Sequence, residues 1–369
     1  MTSDGGDWQR DVLRELRQSI QQPQPEAQPQ PTDAAPAAHE PPPQPVPPPE
    51  PVPVPAPEPV PEPCPHPAPA PTLDPRLSLA LGRPRHGDSL TRRAGRSLRK
   101  LASSAAQDVA EEARVAEQLQ QPVTTGRVVA VTSIRGGVGK TSVSALLARA
   151  FIHYRHDQVL ALDADAALGT LPVRLGAGEV RWSCTELARL LTPSMTLSDV
   201  TEYLVPVDGG WLLPASQGRV GAPLDLRTYR KVTLALRRYF AVTVADCESL
   251  PGEVARTAMD TAHARVVVAP LTAEGVGGTR IVLEWLARLP HPALTTTVVA
   301  LTAASPDMPL DVKAAATHLK EAGVPVVSLP YDRHLAGGGP IRTELLGRAT
   351  RRAATRLAAE VLERAVRAR

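Results

Sequence analysis

The sequence predicts an α/β fold, a mostly parallel twisted sheet with helices on both faces, preceded by a disordered proline-rich tail. Three observations carry this. From about Gln121 onward, apolar runs of strand length alternate with helix-length stretches. A glycine loop, Arg135-Gly136-Gly137-Val138-Gly139-Lys140-Thr141, joins the first such run to the first such helix. Residues 1–75 hold more than half of the 40 prolines in the 369-residue chain.

The tail comes first. From Pro41 to Pro71 nearly every second residue is proline. Such a stretch has little apolar surface to bury and cannot form strand ladders, so it is expected to be extended and disordered. It fits either a ligand for an aromatic-lined groove or a spacer. Ahead of it, Trp8, Val12, Leu16 and Ile20 recur every four residues behind Asp4 and Asp7. That spacing fits a short docking helix, or a frayed tail, since so short a helix is marginal alone.

Residues 76–121 form a second region, basic and then acidic. Arg76, Arg83, Arg85, Arg92, Arg93, Arg96, Arg99 and Lys100 precede Asp108, Glu111, Glu112 and Glu117. Leu90, Ala94, Leu98, Leu101, Ala105, Val109, Ala116 and Leu119 have helical spacing, so one or two helices are expected, beginning near the cap Asp88. A basic amphipathic helix can lie on an anionic membrane or on DNA. No aromatic residue is present to anchor it, which favours a linker helix packed on the next domain.

Residues 122–369 make that domain. Strands are expected at 127–133, 159–163, 211–215, 240–246, 264–270, 295–301 and 325–329. Helices are expected at 140–153, 183–191, 223–238, 252–262, 274–288, 310–323 and 341–367. The run Val266-Val267-Val268 marks a strand buried on both faces. In such sheets ligands bind at the carboxyl ends of the strands.

The chemistry gathers at three such ends. Glycines in the loop let consecutive N–H groups turn toward an anion, and the helix starting at Lys140 adds its positive end. Lys140 is placed to reach the β- and γ-phosphates, and the Thr141 hydroxyl to hold Mg²⁺. The nucleotide-contacting set is Gly136, Gly137, Val138, Gly139, Lys140, Thr141 and Ser142. Asp163 and Asp165 leave the end of the apolar run Val159-Leu160-Ala161-Leu162. Asp246 ends the run Phe240 to Ala245, where a carboxylate reaches Mg²⁺ directly or through water. Each has a plainer reading, a turn after a strand or a helix cap.

The loop lacks the glycine of the common pattern, since position 134 is Ile134. It fits the deviant form K-G-G-x-G-K-[ST] with Arg135 in place of the first Lys, and so resembles the MinD/ParA family of P-loop ATPases. The likeness covers roughly the last two-thirds of the chain. It implies ATP and Mg²⁺ as cofactors and an ATP-sandwich homodimer in which Arg135 crosses to the partner's nucleotide. It implies that Asp165 orients the attacking water, that Asp163 helps to organise Mg²⁺ and that Pro330 holds adenine through its backbone. On this reading Arg135, Lys140 and Asp165 are the catalytic set, and Thr141, Asp163 and Asp246 the metal set. Of 41 basic residues only Lys100, Lys140, Lys231, Lys313 and Lys320 are lysine, so arginine at 135 follows the chain's habit while Lys140 stands out against it. Leu213-Pro214-Ala215-Ser216-Gln217 and Pro330-Tyr331-Asp332 resemble further family segments. One departure follows Asp246: the family usually continues Pro-Ala-Gly, and this chain has Cys247-Glu248-Ser249-Leu250-Pro251-Gly252.

Other branches of the superfamily fit less well. There is no C-x-x-C for an iron–sulfur cluster, no tyrosine-rich tail and no bulky apolar C-terminal anchor. The Ala- and Arg-rich end is read as the last packed helix. A proline/alanine-rich N-terminus before such a domain resembles EspI-like accessory ATPases of type VII secretion. The expected function is therefore a slow, partner-stimulated ATP-hydrolysing dimeric switch that assists a membrane- or nucleoid-associated machinery. Alternatives are a ParA-type DNA partition ATPase and a weakly hydrolysing adaptor acting through its proline-rich tail. Net charge is only +3, which neither favours nor excludes DNA. Three scattered cysteines and the absence of a signal-peptide core point to the cytoplasm, with peripheral attachment to membrane or nucleoid. An unidentified protein partner is expected.

Overall fold

A computed structural model describes residues 67–82, 84–89, 105–165, 169–216, 224–289 and 291–368. The N-terminal helix expected at Trp8 to Ile20, the bulk of the proline tract, Gln217 and the basic stretch from Leu90 to Lys100 lie outside the described residues, as does Cys64. From Pro67 to Arg369 the chain is one compact unit.

Eight strands form the sheet: β1 (Arg127–Thr132), β2 (Val159–Ala164), β3 (Val205–Val207), β4 (Gly210–Leu213), β5 (Val242–Cys247), β6 (Ala264–Pro270), β7 (Thr297–Thr302) and β8 (Val326–Leu329). Their spatial order is β8-β7-β6-β1-β5-β2-β4-β3. Every neighbouring pair is parallel except β3 and β4. The inner strands are rich in Val and Ala and buried along nearly their whole length, as both-face burial demands. β3 was not expected. It pairs back on β4 through Asp208 (φ 43°) and Gly209 (φ 90°), a turn that needs left-handed backbone at both positions.

The main helices are α1 (Ala105–Leu119), α2 (Lys140–Tyr154), α3 (Cys184–Leu190), α4 (Leu226–Leu236), α5 (Glu253–Thr261), α6 (Ala273–Ala287), α7 (Val312–Lys320) and α8 (Arg348–Arg367). α1, α2 and α8 pack together over one sheet face, with Phe151, Leu357, Val361 and Leu362 in a core shared with Val129, Val131, Val244 and Val266. α4 and α5 lie on the other face, and α6 and α7 pack together against β6 and β8. Caps set the boundaries. Ser183 and Glu186 form a capping box on α3, and Asp225, Thr272 and Asp311 cap α4, α6 and α7.

The C-terminal helix is shorter than expected. Residues 341–347 are not α-helical: Thr343–Leu345 form a 3-10 turn and Gly347 is an extended N-cap. The cap comes from far away in sequence. Asp332 Oδ2 accepts the Gly347 N–H at 2.8 Å, and Asp88 Oδ2 accepts the Arg348 N–H at 3.2 Å. Asp88, read as the start of a helix of its own, thus caps the last one. Its neighbour Gly87 admits this packing, since a Cβ there would fall 2.3 Å from Asp332 Oδ2.

The described parts of the segment after the proline tract are tied to the domain at several points. Ala70–Pro71 pairs antiparallel with Glu179–Val180. The Thr72 hydroxyl donates to Ala177 O at 2.5 Å, and Gly87 N–H donates to Leu345 O at 2.7 Å. α1 is held to α8 by Glu111 and Glu112 facing Arg352 and Arg356. Arg155, buried at the end of α2, donates to the carbonyls of Leu119 and Gln121 at 2.7 and 3.0 Å. Among the described residues no helix is long and apolar enough to cross a membrane.

Candidate functional site

The loop 133–139 leaves the carboxyl end of the central strand β1 and enters α2. Gly137 (φ 73°) and Gly139 (φ 93°) take left-handed backbone, which bends the loop into a cradle. Gly139 is the N-cap of α2 and supplies no side chain to the orphan N–H groups of the first turn. Those donors face the cradle, where an anion satisfies them. The base of the loop is fixed. Ser133 Oγ donates to Arg135 O at 2.6 Å, and Thr302 Oγ1 at the end of β7 donates to Val138 O at 3.0 Å. Gly136 and Gly137 are exposed.

Gly136 is instructive because the protein's own packing does not require it. Its φ is ordinary, and a Cβ there would meet no atom within 4 Å. The space beside it is open, and if phosphate is held at this loop a methyl group there would project toward it. Gly136→Ala is therefore expected to leave unfolding free energy within about 0.5 kcal/mol of wild type, and to weaken ADP binding several-fold by calorimetry. Unchanged ADP affinity would contradict this use of the glycine.

Lys140 is buried, and its Nζ donates to Ser249 Oγ at 3.0 Å. The Thr141 hydroxyl stands near enough to Asp246 to draw its pKa down. Ser144, one turn further along α2, donates to Asp246 Oδ1 at 2.9 Å. Asp163 and Asp246 end adjacent strands in direct register, so their carboxylates stand abreast. Asp163 Oδ1 accepts the Asp165 N–H at 3.2 Å. Gly169 closes against the same carboxylate; a Cβ there would fall 1.9 Å from Asp163 Oδ2.

Two carboxylates side by side in the sheet interior repel one another. Burial first, and then the charge of Asp246, raises Asp163 well above the usual carboxylate range. Burial pushes Asp246 up to about 6, against the pull of Thr141, Ser144 and Lys140. Each also has one buried oxygen, Asp163 Oδ2 and Asp246 Oδ2, with no hydrogen-bond partner among the described residues. Unpartnered acceptors on a crowded acidic pair are what a divalent cation relieves. The donors are all oxygens, and beside the hydroxyl of Thr141 they suit Mg²⁺, which takes one or two carboxylates and leaves room for phosphate and water.

The expected residues are brought together unevenly. Gly136 to Ser142, Asp163, Asp165 and Asp246 converge on the ends of β1, β2 and β5. Arg135 is half-buried. Glu274, in the first turn of α6, is held below its usual range by its own backbone N–H, by Thr272 and by the charge of Arg135. Pro330 stands apart, past the end of the edge strand β8 and separated from β1 by β7 and β6. Asp332 beside it is a structural cap, accepting the N–H groups of His334 and Leu335. The link from that loop to the cradle is Arg174, whose guanidinium donates to Ser142 Oγ at 2.8 Å and to the carbonyls of Leu335 and Gly339 at 3.0 and 3.3 Å.

Ser144, Arg174 and Ser249 were not foreseen. Ser144 carries a signal, three positions past Thr141 on the same helix face. Arg174 and Ser249 carry none, because their partners lie 32 and 109 positions away. Cavities of about 840 Å³, between α1, α2 and α8, and about 610 Å³, between residues 72–85 and the 331–342 loop, are lined by none of residues 133–141.

The comparisons agree with this geometry. The model of the CobQ/CobB/MinD/ParA nucleotide-binding domain matches residues 129–336. The ESX-1 secretion-associated protein EspI of Mycobacterium tuberculosis is 28% identical over 240 residues, covering 63% of this chain and 35% of that one. The antiactivator FleN of Pseudomonas aeruginosa is 37% identical over 100 residues, 25% of this chain and 30% of that one. The alignments thus span about a third of the length of these curated relatives. Among solved structures, the cell division ATPase MinD of Pyrococcus furiosus superposes with a TM-score of 0.50 at 23% identity, over 64% of this chain and 99% of that one. Loop, paired aspartates, sheet order and family match coincide, and the chain belongs to the CobQ/CobB/MinD/ParA nucleotide-binding domain family.

Proposed function

We propose that the protein is an ATP-hydrolysing molecular switch. The observation that carries this is the meeting of the glycine cradle and Lys140 with two abreast carboxylates, each having an unpartnered buried oxygen. The loop N–H groups and Lys140 bind the phosphates. Asp246, Asp163 and Thr141 would hold Mg²⁺, which when bound supplies positive charge against the phosphate oxygens. Asp165 orients a water in line with the γ-phosphorus; the water oxygen bonds to phosphorus, the bond to the ADP oxygen breaks, and phosphate leaves.

The exposed Gly136 and Gly137 of the loop favour closure by a second subunit, with Arg135 reaching the partner's nucleotide. ATP would then bring two subunits together and hydrolysis would part them. The EspI likeness, together with a proline-rich tail, makes a secretion machinery at the membrane our preferred setting. Asp165→Ala is expected to retain ATP binding and to lose hydrolysis by about two orders of magnitude or more. Single-turnover measurement with labelled ATP checks it, and phosphate release at the wild-type rate would remove Asp165 from the mechanism.

A second reading is favoured by the segment after Asp246, which is laced to β1 rather than loose. Thr132 Oγ1 donates to Glu248 O at 2.7 Å and Leu250 N–H to Ser133 O at 2.8 Å. If wild-type hydrolysis is negligible while ATP binds, the chain is a nucleotide-responsive adaptor working through its tail.

A further inference from the structure

The stretch Cys247 to Gly252, where the chain leaves the family pattern, has a use in the cradle. Its backbone is fixed on both sides of Ser249: Glu248 O accepts from the Thr132 hydroxyl, and Leu250 N–H donates to Ser133 O. Ser249 O in turn accepts the Gly252 N–H at 3.1 Å. The Glu248 carboxylate folds onto the start of α5, where Oε1 accepts the Val254 N–H at 3.2 Å. Gly252 makes that fold possible, since a Cβ there would fall 2.0 Å from Glu248 Oε1. The hydroxyl of Ser249 is therefore held at a set place beside the cradle by contacts that do not involve the hydroxyl itself.

We infer that Ser249 is a positioning residue for Lys140, holding the ammonium over the cradle before and after phosphate binds. The inference rests on the nucleotide-binding reading of the loop. An ammonium has three N–H donors on a flexible stem. Ser249 Oγ takes one at 3.0 Å, which aims the other two at the cradle and fixes the stem before a ligand arrives. Ordering a lysine side chain is among the larger rotamer costs of binding, and here the cost is met in the unliganded protein. Among the described residues the Lys140 ammonium donates to no other group, so nothing else replaces this bond.

Calorimetric titration with ADP and with ATP–Mg²⁺ tests it in the full chain, comparing wild type, Ser249→Ala and Ser249→Thr. Ser249→Ala is expected to weaken both nucleotides roughly tenfold, with a cooperative denaturant unfolding transition retained. Ser249→Thr keeps the hydroxyl and is expected to recover most of that loss. Wild-type affinity in Ser249→Ala overturns the proposal, and so does a Thr variant as weak as the Ala variant, which would make residue 249 a shape requirement of the loop. A wild type that binds neither nucleotide overturns instead the nucleotide-binding reading on which the inference stands.

Discussion

Replacing Asp246 by asparagine is expected to stabilise the nucleotide-free domain at pH 7 and to abolish its stabilisation by Mg²⁺ with nucleotide. Burial is the main reason that Asp246 is pushed up to about 6, and Asp163 beside it is raised by burial and by Asp246. A carboxyl whose folded pKa lies above its unfolded value of 3.8 favours folding in its protonated form. Its contribution is complete below about pH 4 and is lost as pH rises through about 6. Asparagine carries no charge to lose. It keeps an oxygen for the Ser144 hydroxyl and offers an N–H₂ where Asp246 Oδ2 has no partner. The stability difference, variant minus wild type, should be near zero at pH 4 and grow toward pH 7 to on the order of 3 kcal/mol. His263 works the other way over the same range. Burial and then Arg237, Arg127 and Arg265 lower it to about 4, so its contribution is complete above its ordinary value of 6.5 and is lost as pH falls through about 4. That contribution is common to both proteins and cancels in the difference. Denaturant unfolding of both proteins at several pH values checks the result. A variant less stable than wild type at pH 7 would mean that the pair is not strained in the unliganded protein.

Lys140→Ala is expected to cost at least about 3 kcal/mol of ATP and ADP affinity, two orders of magnitude, through lost charge-assisted bonds to phosphate. The fold should survive. Lys140 is buried, and among the described residues its ammonium donates only to a neutral hydroxyl, so its removal breaks no ion pair and costs Asp246 only the pull of a nearby charge. Calorimetry and unfolding on the same preparation separate the two effects. Intact affinity would take Lys140 out of the phosphate site, whereas lost affinity accompanied by unfolding would assign it a structural role.

Much of this was legible in local pattern. The central strands announce themselves as Val- and Ala-rich runs, and β1, β2, β5, β6 and β7 begin and end within two residues of expectation. The acidic ends of β2 and β5 were visible, but not that register sets Asp163 opposite Asp246; pairing of distant strands has no local signal. Of the β3–β4 hairpin the second strand was expected, at 211–215, whereas β3, three residues long, was not, although Asp208-Gly209 mark the turn between them. The overlong C-terminal helix is more telling. Composition alone continued it back to 341, whereas the true start is set by Asp88 and Asp332 reaching it from other parts of the chain. The contacts that refine the cradle, Arg174 with Ser142 and Ser249 with Lys140, are of the same long-range kind.

The most direct measurement is the mass in solution of wild type and of Asp165→Ala, by light scattering, with ATP–Mg²⁺ and then with ADP. The expected result is a dimer with ATP that Asp165→Ala holds and ADP releases. Monomers throughout, with ATP demonstrably bound, would contradict the dimeric switch and the role of Arg135 across it.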